Sequence, residues 1–255
     1  QRDDLGRIRQ FTETVQGTSH DVAYDYDLGG RLKTVTRDGV KTTYDYDPNG
    51  NRTSVQVGTA DAIVSNFDEQ DRILNQGDVT YETTAHGDLS LITDGSKRTA
   101  LTYDELGNLM KVAITDNGTA IATVEYQVDG LGRRISRRIN GSFDKKWLYR
   151  DSLRPEAEVN AAGVFTHYVY ASNDPNSGAP IALIRAGVLY RVVKDHLGSV
   201  RMVVNAQTGE VAQSIDYDAW GNVLSETGAG FQPFGFAGGL YDATTKLVRF
   251  GARDY

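Results

Sequence analysis

The feature that most constrains this 255-residue chain is a short motif repeated along it. An aromatic residue and a carboxylate are followed, a few positions on, by Gly and then Arg or Asn. The fullest copies are Tyr26-Asp27 with Gly30-Arg31, Tyr46-Asp47 with Gly50-Asn51, Tyr103-Asp104 with Gly107-Asn108, and Tyr217-Asp218 with Gly221-Asn222. Looser copies surround Phe67-Asp68, Tyr81-Glu82 and Tyr126, and Asp4-Leu5-Gly6-Arg7 is the tail of another. Up to Arg133 they recur about every twenty residues, and self-similarity at such a period marks an array of one small unit. Beyond Arg133 the pattern fades, with Asp195-His196-Leu197-Gly198-Ser199 as a variant copy.

Each unit reads as a β-hairpin plus a tight turn. After the Gly, polar and apolar residues alternate imperfectly, as in Leu32, Thr34 and Thr36 against Lys33, Val35 and Arg37, nearer to period two than to 3.6. Asp38-Gly39, Asp94-Gly95, Asn117-Gly118 and Asn140-Gly141 are type I′ hairpin signals, because both central residues need positive φ. Ala162-Gly163, Ala186-Gly187 and Thr208-Gly209 are weaker versions. No segment holds helical spacing with caps. The expectation is an all-β chain of repeated antiparallel hairpins in a curling sheet, each Tyr laying its ring inside the curl and the next Asp accepting turn N–H groups.

Composition narrows the function. The net charge of −7 argues against nucleic acid as a partner, since phosphate contacts need a basic surface. The locally basic stretch Arg133, Arg134, Arg137, Arg138, Lys145, Lys146 reads as solvated strand faces. Without cysteine there are no disulfides or thiolate metal sites. No apolar run approaches the roughly 18 residues of a membrane span. The opening Gln1-Arg2-Asp3-Asp4 has no signal-peptide core and reads as a cut through a longer chain.

The units resemble the RHS/YD-repeat family, whose consensus is Tyr-Asp, then Gly-Arg or Gly-Asn, then Leu. The C-terminal run resembles the RHS-associated core signature almost throughout: Pro233, Phe234, Phe236, Gly238, Gly239, Tyr241, Asp242, Arg249, Phe250 and Arg253, ending at Tyr255. Asp195 to Val200 is also typical of that core. The resemblance covers nearly the whole chain and implies a spiralling β-sheet shell. In bacterial RHS toxins and Tc toxin C components such a shell encloses a C-terminal toxin domain; teneurins carry a related shell in animals, but the terminal signature points to bacteria. It also implies aspartates past the Arg-Asp-Tyr that release the toxin by aspartyl autoproteolysis. Those lie beyond Tyr255, so no catalytic residue is expected here, while Arg249 and Arg253 stand where they can help orient such a site.

Other motifs carry less. Asp45 to Gly50 matches the opening of a calcium loop, but its twelfth position is Gln56 rather than Glu. His20, His86, His167 and His196 form no metal pattern, and His196 with Ser199 lacks an orienting third group. Asp216 and Asp218 resemble a glycosidase pair, yet Asp-Tyr-Asp recurs at residues 25–27 and 45–47, which favours turn chemistry. The glycosylation sequons at Asn51, Asn117 and Asn140 would be inert in a bacterial protein.

The sequence thus predicts a non-enzymatic shell segment without cofactor or metal, secreted or cell-surface associated. It divides into a hairpin array (1–150), degenerate repeats (151–230) and the core signature (231–255). Expected partners are the remainder of the shell, an enclosed toxin domain, and other copies through open sheet edges. The alternatives are the non-catalytic part of a self-cleaving core, or an adhesin binding carbohydrate through exposed Tyr and Trp, Trp147 and Trp220 above all.

Overall fold

The computed structural model describes residues 1–15, 17–150, 154–171 and 178–255. They form two compact units, Gln1–Gly95 and Ser96–Tyr255. The first is a meander of nine strands: β1 (Gln10–Val15), β2 (Thr18–Tyr26), β3 (Leu32–Arg37), β4 (Val40–Tyr46), β5 (Arg52–Val57), β6 (Ile63–Phe67), β7 (Ile73–Gln76), β8 (Val79–Thr83) and β9 (Leu89–Asp94). Each pairs antiparallel with the next.

The second unit continues the scheme. Its strands are β10 (Lys97–Tyr103), β11 (Leu109–Asp116), β12 (Thr119–Val128), β13 (Arg134–Ile139), β14 (Ser142–Leu148), β15 (Ala157–Asn160), β16 (Phe165–Val169), β17 (Ala182–Arg185), β18 (Val188–Lys194), β19 (Val200–Asn205), β20 (Val211–Tyr217) and β21 (Val223–Thr227). These too pair in chain order. A short 3-10 turn, Phe236–Gly238, and three small strands follow: β22 (Leu240–Tyr241), β23 (Val248–Phe250) and β24 (Arg253–Asp254). Among the described residues there is no α-helix, and the all-β expectation holds.

One turn geometry explains the repeat. The Asp27 N–H donates to the Arg31 carbonyl at 2.9 Å, and the Gly30 N–H returns to the Asp27 carbonyl at 3.0 Å. The Asp27 carboxylate accepts the Arg31 N–H at 2.9 Å and its Nε at 2.7 Å. Asp47, Asp104 and Asp218 hold Asn51, Asn108 and Asn222 through backbone N–H and side-chain amide alike. The fifth residue is Arg or Asn because its side chain must donate to the free carboxylate oxygen. The fourth is Gly because the chain needs positive φ there, +80° at Gly30 and +89° at Gly221. The copy without Gly puts Asp71 at φ 60°, one of the few side chains that tolerates it. At Thr84 the hydroxyl still accepts the Asp88 N–H, at 3.1 Å, but the side-chain roles reverse and it donates to the Asp88 carboxylate at 3.4 Å.

The imperfect alternation has a local cause. In these hairpins the outgoing strand carries one extra residue just after the turn. Tyr26 faces Leu32 and Asp25 faces Thr34, leaving Lys33 as the bulge; Tyr46 faces Arg52 and Asp45 faces Ser54, leaving Thr53. A bulge flips every later side chain to the other face, so a strict period-two count fails there.

The two-residue turns are partly as expected. Asp38-Gly39, Asn117-Gly118, Asn140-Gly141 and Ala186-Gly187 all have positive φ at both residues. Asp94 does not; it ends β9, and only Gly95 is positive. Ala162 and Thr208 also lack it. Their turns belong to the longer type, built on Asn160 and Asn205, whose side-chain oxygens accept the N–H groups of Ala162 and Val164 and of Gln207 and Thr208.

Tyrosine joins successive units. The Tyr26 hydroxyl donates to the Ile8 carbonyl at 2.9 Å and Tyr46 to the Leu32 carbonyl at 2.7 Å. The Arg of the preceding turn lies over each ring, Arg7 at 4.3 Å and Arg31 at 4.8 Å from the centroid. Tyr149 and Tyr170 repeat this with the Arg134 and Pro155 carbonyls and with Arg133 and Arg154. The unit therefore persists where its Tyr-Asp spelling is lost. Only the second Asp of each Asp-Tyr-Asp serves the turn. The first reaches across the ladder: Asp25 pairs with Arg9 at 2.9 Å and Asp216 with Arg201 at 2.8 Å.

Asp3, Asp27, Asp47, Asp68, Asp104 and Asp129 all titrate below their ordinary value of 3.8. For Asp27 the largest cause is the Arg31 side-chain hydrogen bond. Such groups stabilise the fold fully above the unfolded value and cease to as pH falls through the lower folded one. Thermal melts followed by circular dichroism should be flat from pH 7 to about 5 and fall steeply below about 4. An unchanged melting temperature at pH 3 would contradict this role.

Candidate functional site

The place where the chain departs from simple repetition is its C-terminal segment, which folds back onto the sheet of its own unit. Two contacts fix it, one hydrophobic and one ionic.

The hydrophobic contact centres on Phe234, which is 2% exposed. Its ring meets Tyr168 edge-on, with centroids 4.9 Å apart at 89°. Leu183, Val192, Val200 and Val203 complete the core, drawn from β17, β18 and β19. At this depth Gln232 donates to Gln213 at 3.0 Å and accepts the Phe234 N–H at 2.6 Å. The Ser199 hydroxyl accepts the Ala237 N–H at 3.0 Å, and the Val200 N–H donates to the Gly235 carbonyl at 3.2 Å. Ser199 thus anchors the segment.

Close approach explains the glycines of this stretch. A Cβ on Gly239 would sit 2.4 Å from Val248, and one on Gly178 would sit 2.7 Å from the Gly238 carbonyl. Gly221 belongs to a repeat turn yet also meets the segment: a Cβ there would lie 2.5 Å from the Phe236 ring, whereas Gly107 has open space around it. Gly107→Ala should cost about 1–2 kcal/mol of backbone strain. Gly221→Ala should cost a further 1–3 kcal/mol or so for the displaced ring. Urea titrations of both variants check this; equal losses would contradict it.

The ionic contact gathers residues far apart in sequence. Asp254 accepts both Arg134, at 2.9 and 3.0 Å, and Arg249, at 2.7 Å. Arg249 also donates to the Gly132 carbonyl at 2.8 Å. Beside them Asp242 accepts the Tyr126 hydroxyl at 2.6 Å and pairs with Arg137 at 2.8 Å, while Arg137 reaches Asp144 at 2.7 Å. The Arg134 guanidinium lies 3.5 Å from the Tyr126 ring centroid. Burial alone would raise the Asp242 carboxyl, but the Arg137 charge and the Tyr126 hydrogen bond hold it below the usual carboxylate range. Burial pushes the Tyr149 hydroxyl up to about 12. Burial lowers Arg249, and the neighbouring Arg134 charge adds to the effect.

The basic stretch is therefore not a solvated face throughout. Arg133 serves a turn, pairing with Asp129 at 2.7 Å. Arg134 is 3% exposed, Arg137 is locked between two aspartates, and Lys145 meets the buried Glu158 at 3.5 Å. Only Arg138 and Lys146 keep to the opposite face. For Arg134 the reason lies outside the stretch: its aspartate, Asp254, arrives from the C-terminal segment, which also brings Asp242 to Arg137.

Of the signature residues, Pro233, Phe234, Gly238, Gly239, Asp242 and Arg249 are buried, Phe236 and Tyr241 half-buried, and Phe250 and Arg253 exposed. Arg249 is drawn into the network while Arg253 is not. The residue that sequence reasoning missed is Asp254. Trp147 is 6% exposed, so it offers no surface to a sugar; Trp220, at 42%, sits at a turn tip. Asp45 is spent on the Ser54 hydroxyl and Asp47 on Asn51, and among the described residues no group of three His, Cys, Asp or Glu suits a metal ion.

A run of Asp-locked hairpins with its terminal segment folded against the sheet defines a β-repeat protein of the shell class. The family model Teneurin YD-shell matches residues 1–255, and the chain belongs to that family. Mouse teneurin-4 is 30% identical over 261 residues and chicken teneurin-1 31% over 267, each covering 100% of this chain and 9% of the relative. A bacterial relative, the tRNA3(Ser)-specific nuclease WapA of Bacillus spizizenii, is 28% identical over 236 residues, 89% of this chain and 10% of that protein. This chain thus spans about a tenth of the length of these relatives. A solved structure of the Photorhabdus luminescens Tc holotoxin pore aligns over 100% of this chain and 17% of its own, at 15% identity and TM-score 0.49.

Proposed function

We propose that this chain is a wall segment of an RHS-type shell that encloses a C-terminal toxin domain in a secreted bacterial protein used in competition between bacteria. The observation that carries the reading is the docked terminal segment. Phe234, Asp242 and Asp254 pin it to the sheet, so that polypeptide following Tyr255 starts from a fixed point on the wall. The role is structural, with no chemistry of its own. In the longer protein carrying this segment, the polypeptide after Tyr255 should resist proteinase K while the wall is intact, and become sensitive when Phe234 or Asp254 is replaced. Equal digestion in both forms would refute enclosure.

A second reading has one observation in its favour: Arg249 and Asp254 are held rigidly next to where the resemblance puts an autoproteolytic aspartate. This chain would then be the non-catalytic half of a self-cleaving core. Mass spectrometry of the protein extended by about forty residues distinguishes them, and an intact product would sink the self-cleaving reading.

A further inference from the structure

We propose that the sheet face opposite the docked segment carries a binding groove for an extended acidic peptide, in which a carboxylate is followed by an apolar side chain. The groove is an open depression of about 500 Å³ that runs across β12 to β15 and is lined by Gln127, Ser136, Arg138, Phe143, Lys146 and Val159. The register separates it from the ionic site. Tyr126 and Arg137 pair on one face, while the neighbouring pair Gln127 and Ser136 points the other way.

The lining has the chemistry of an anion site. Among the described residues Arg138 and Lys146 meet no carboxylate. Arg138 spends one Nη on the Gly141 carbonyl at 3.0 Å, and the Lys146 ammonium lies 5.8 Å from the Phe143 centroid. No acidic residue lines the groove, in a protein of net charge −7. Glu125 is opposite Arg138 in the ladder without forming an ion pair. Ser136 is 3% exposed yet its hydroxyl has no partner among the described residues, so its open side is the groove. Two cations, an amide and a hydroxyl can all donate, which matches a carboxylate.

The apolar part of the ligand is set by what lies next. Val159 faces Phe165 on β16, and Phe165 is 49% exposed. From Lys146 on β14 to Phe165 is two strand spacings, about 10 Å, or about three residues of extended peptide. The matching sequence has acidic residues two positions apart and a bulky apolar residue two positions further on, so that all three side chains face the sheet.

The test is fluorescence anisotropy of the full chain with a labelled extended peptide carrying glutamates at alternate positions and a leucine two positions after the second. Saturable binding is expected that weakens about tenfold in Arg138→Gln/Lys146→Gln and weakens on adding salt. Phe165→Ala, which leaves the cations in place, should weaken it several-fold without altering the salt dependence. Both changes are at exposed positions, and an unchanged circular dichroism spectrum confirms folding. Absence of saturable binding, or binding indifferent to the double substitution, would overturn the proposal. So would inorganic phosphate displacing the peptide at concentrations matching the peptide's own affinity, which would leave only a small-anion site.

Discussion

Asp254→Ala should destabilise the second unit by about 3–5 kcal/mol, the usual loss when one partner of a buried ion pair is removed. Asp254, Arg134 and Arg249 have side chains 5%, 4% and 2% exposed. Deleting the carboxylate leaves two buried guanidinium groups facing each other with no negative charge between them. Burial and Arg134 already depress Arg249. Asp254→Asn should lose less, since an amide oxygen still accepts one hydrogen bond. Arg253→Ala, its exposed neighbour, should change stability by no more than about 0.5 kcal/mol. The chain's two tryptophans, Trp147 and Trp220, both lie in this unit, so urea denaturation followed by their fluorescence reports on it directly. A loss under about 1 kcal/mol for Asp254→Ala would mean that the network is wetter or looser than the geometry implies.

Phe234→Ala should cost a similar amount, about 3–5 kcal/mol. Among the described residues the ring is the largest fully buried side chain, and its removal opens a void between β17, β18, β19 and the terminal segment. Part of the loss comes from the edge-on contact with Tyr168, worth about 0.5–1.5 kcal/mol beyond burial. A double-mutant cycle with Tyr168→Leu isolates that share. Phe234→Leu should recover much of the stability, because volume matters more than aromaticity in this pocket. The two sites sit at different parts of the segment and share no partner, so their losses should add.

The turn grammar was the most legible part of the sequence. Asp27, Gly30 and Arg31 are each required by a hydrogen bond or a φ angle that the residue type announces. So are the type I′ pairs at Asp38, Asn117 and Asn140. The alternation was less legible because a bulge residue such as Lys33 carries no composition of its own. Tyr149 and Tyr170 went unread since the inter-unit contact needs only a ring and a hydroxyl, and the Asp after the Tyr is dispensable to it.

The ionic site was the least legible. Arg134 and Asp254 are 120 residues apart, and Tyr126 and Asp242 are 116 apart. Nothing near Arg134 or Arg137 in sequence separates them from the exposed Arg138. Burial came from a partner segment whose docking depends on Phe234 filling a pocket made by three other strands. The one available signal was the density of Gly and aromatic residues after Pro233, which marks close packing without saying against what.

The terminal segment is part of the wall, as rigid as the strands it covers. Native-state hydrogen exchange of the full chain reads this residue by residue. The Ala237 N–H, bonded to the Ser199 hydroxyl, and the Val200 N–H, bonded to the Gly235 carbonyl, join segment and sheet, while the Tyr241 N–H at 2.8 Å from the Pro233 carbonyl lies within the segment. All three should exchange as slowly as the interior amides of β19, and all three should speed up together in Phe234→Ala. Exchange of Ala237 and Tyr241 at the rate of exposed turn amides, with β19 still protected, would show the segment to be detached and would contradict the account.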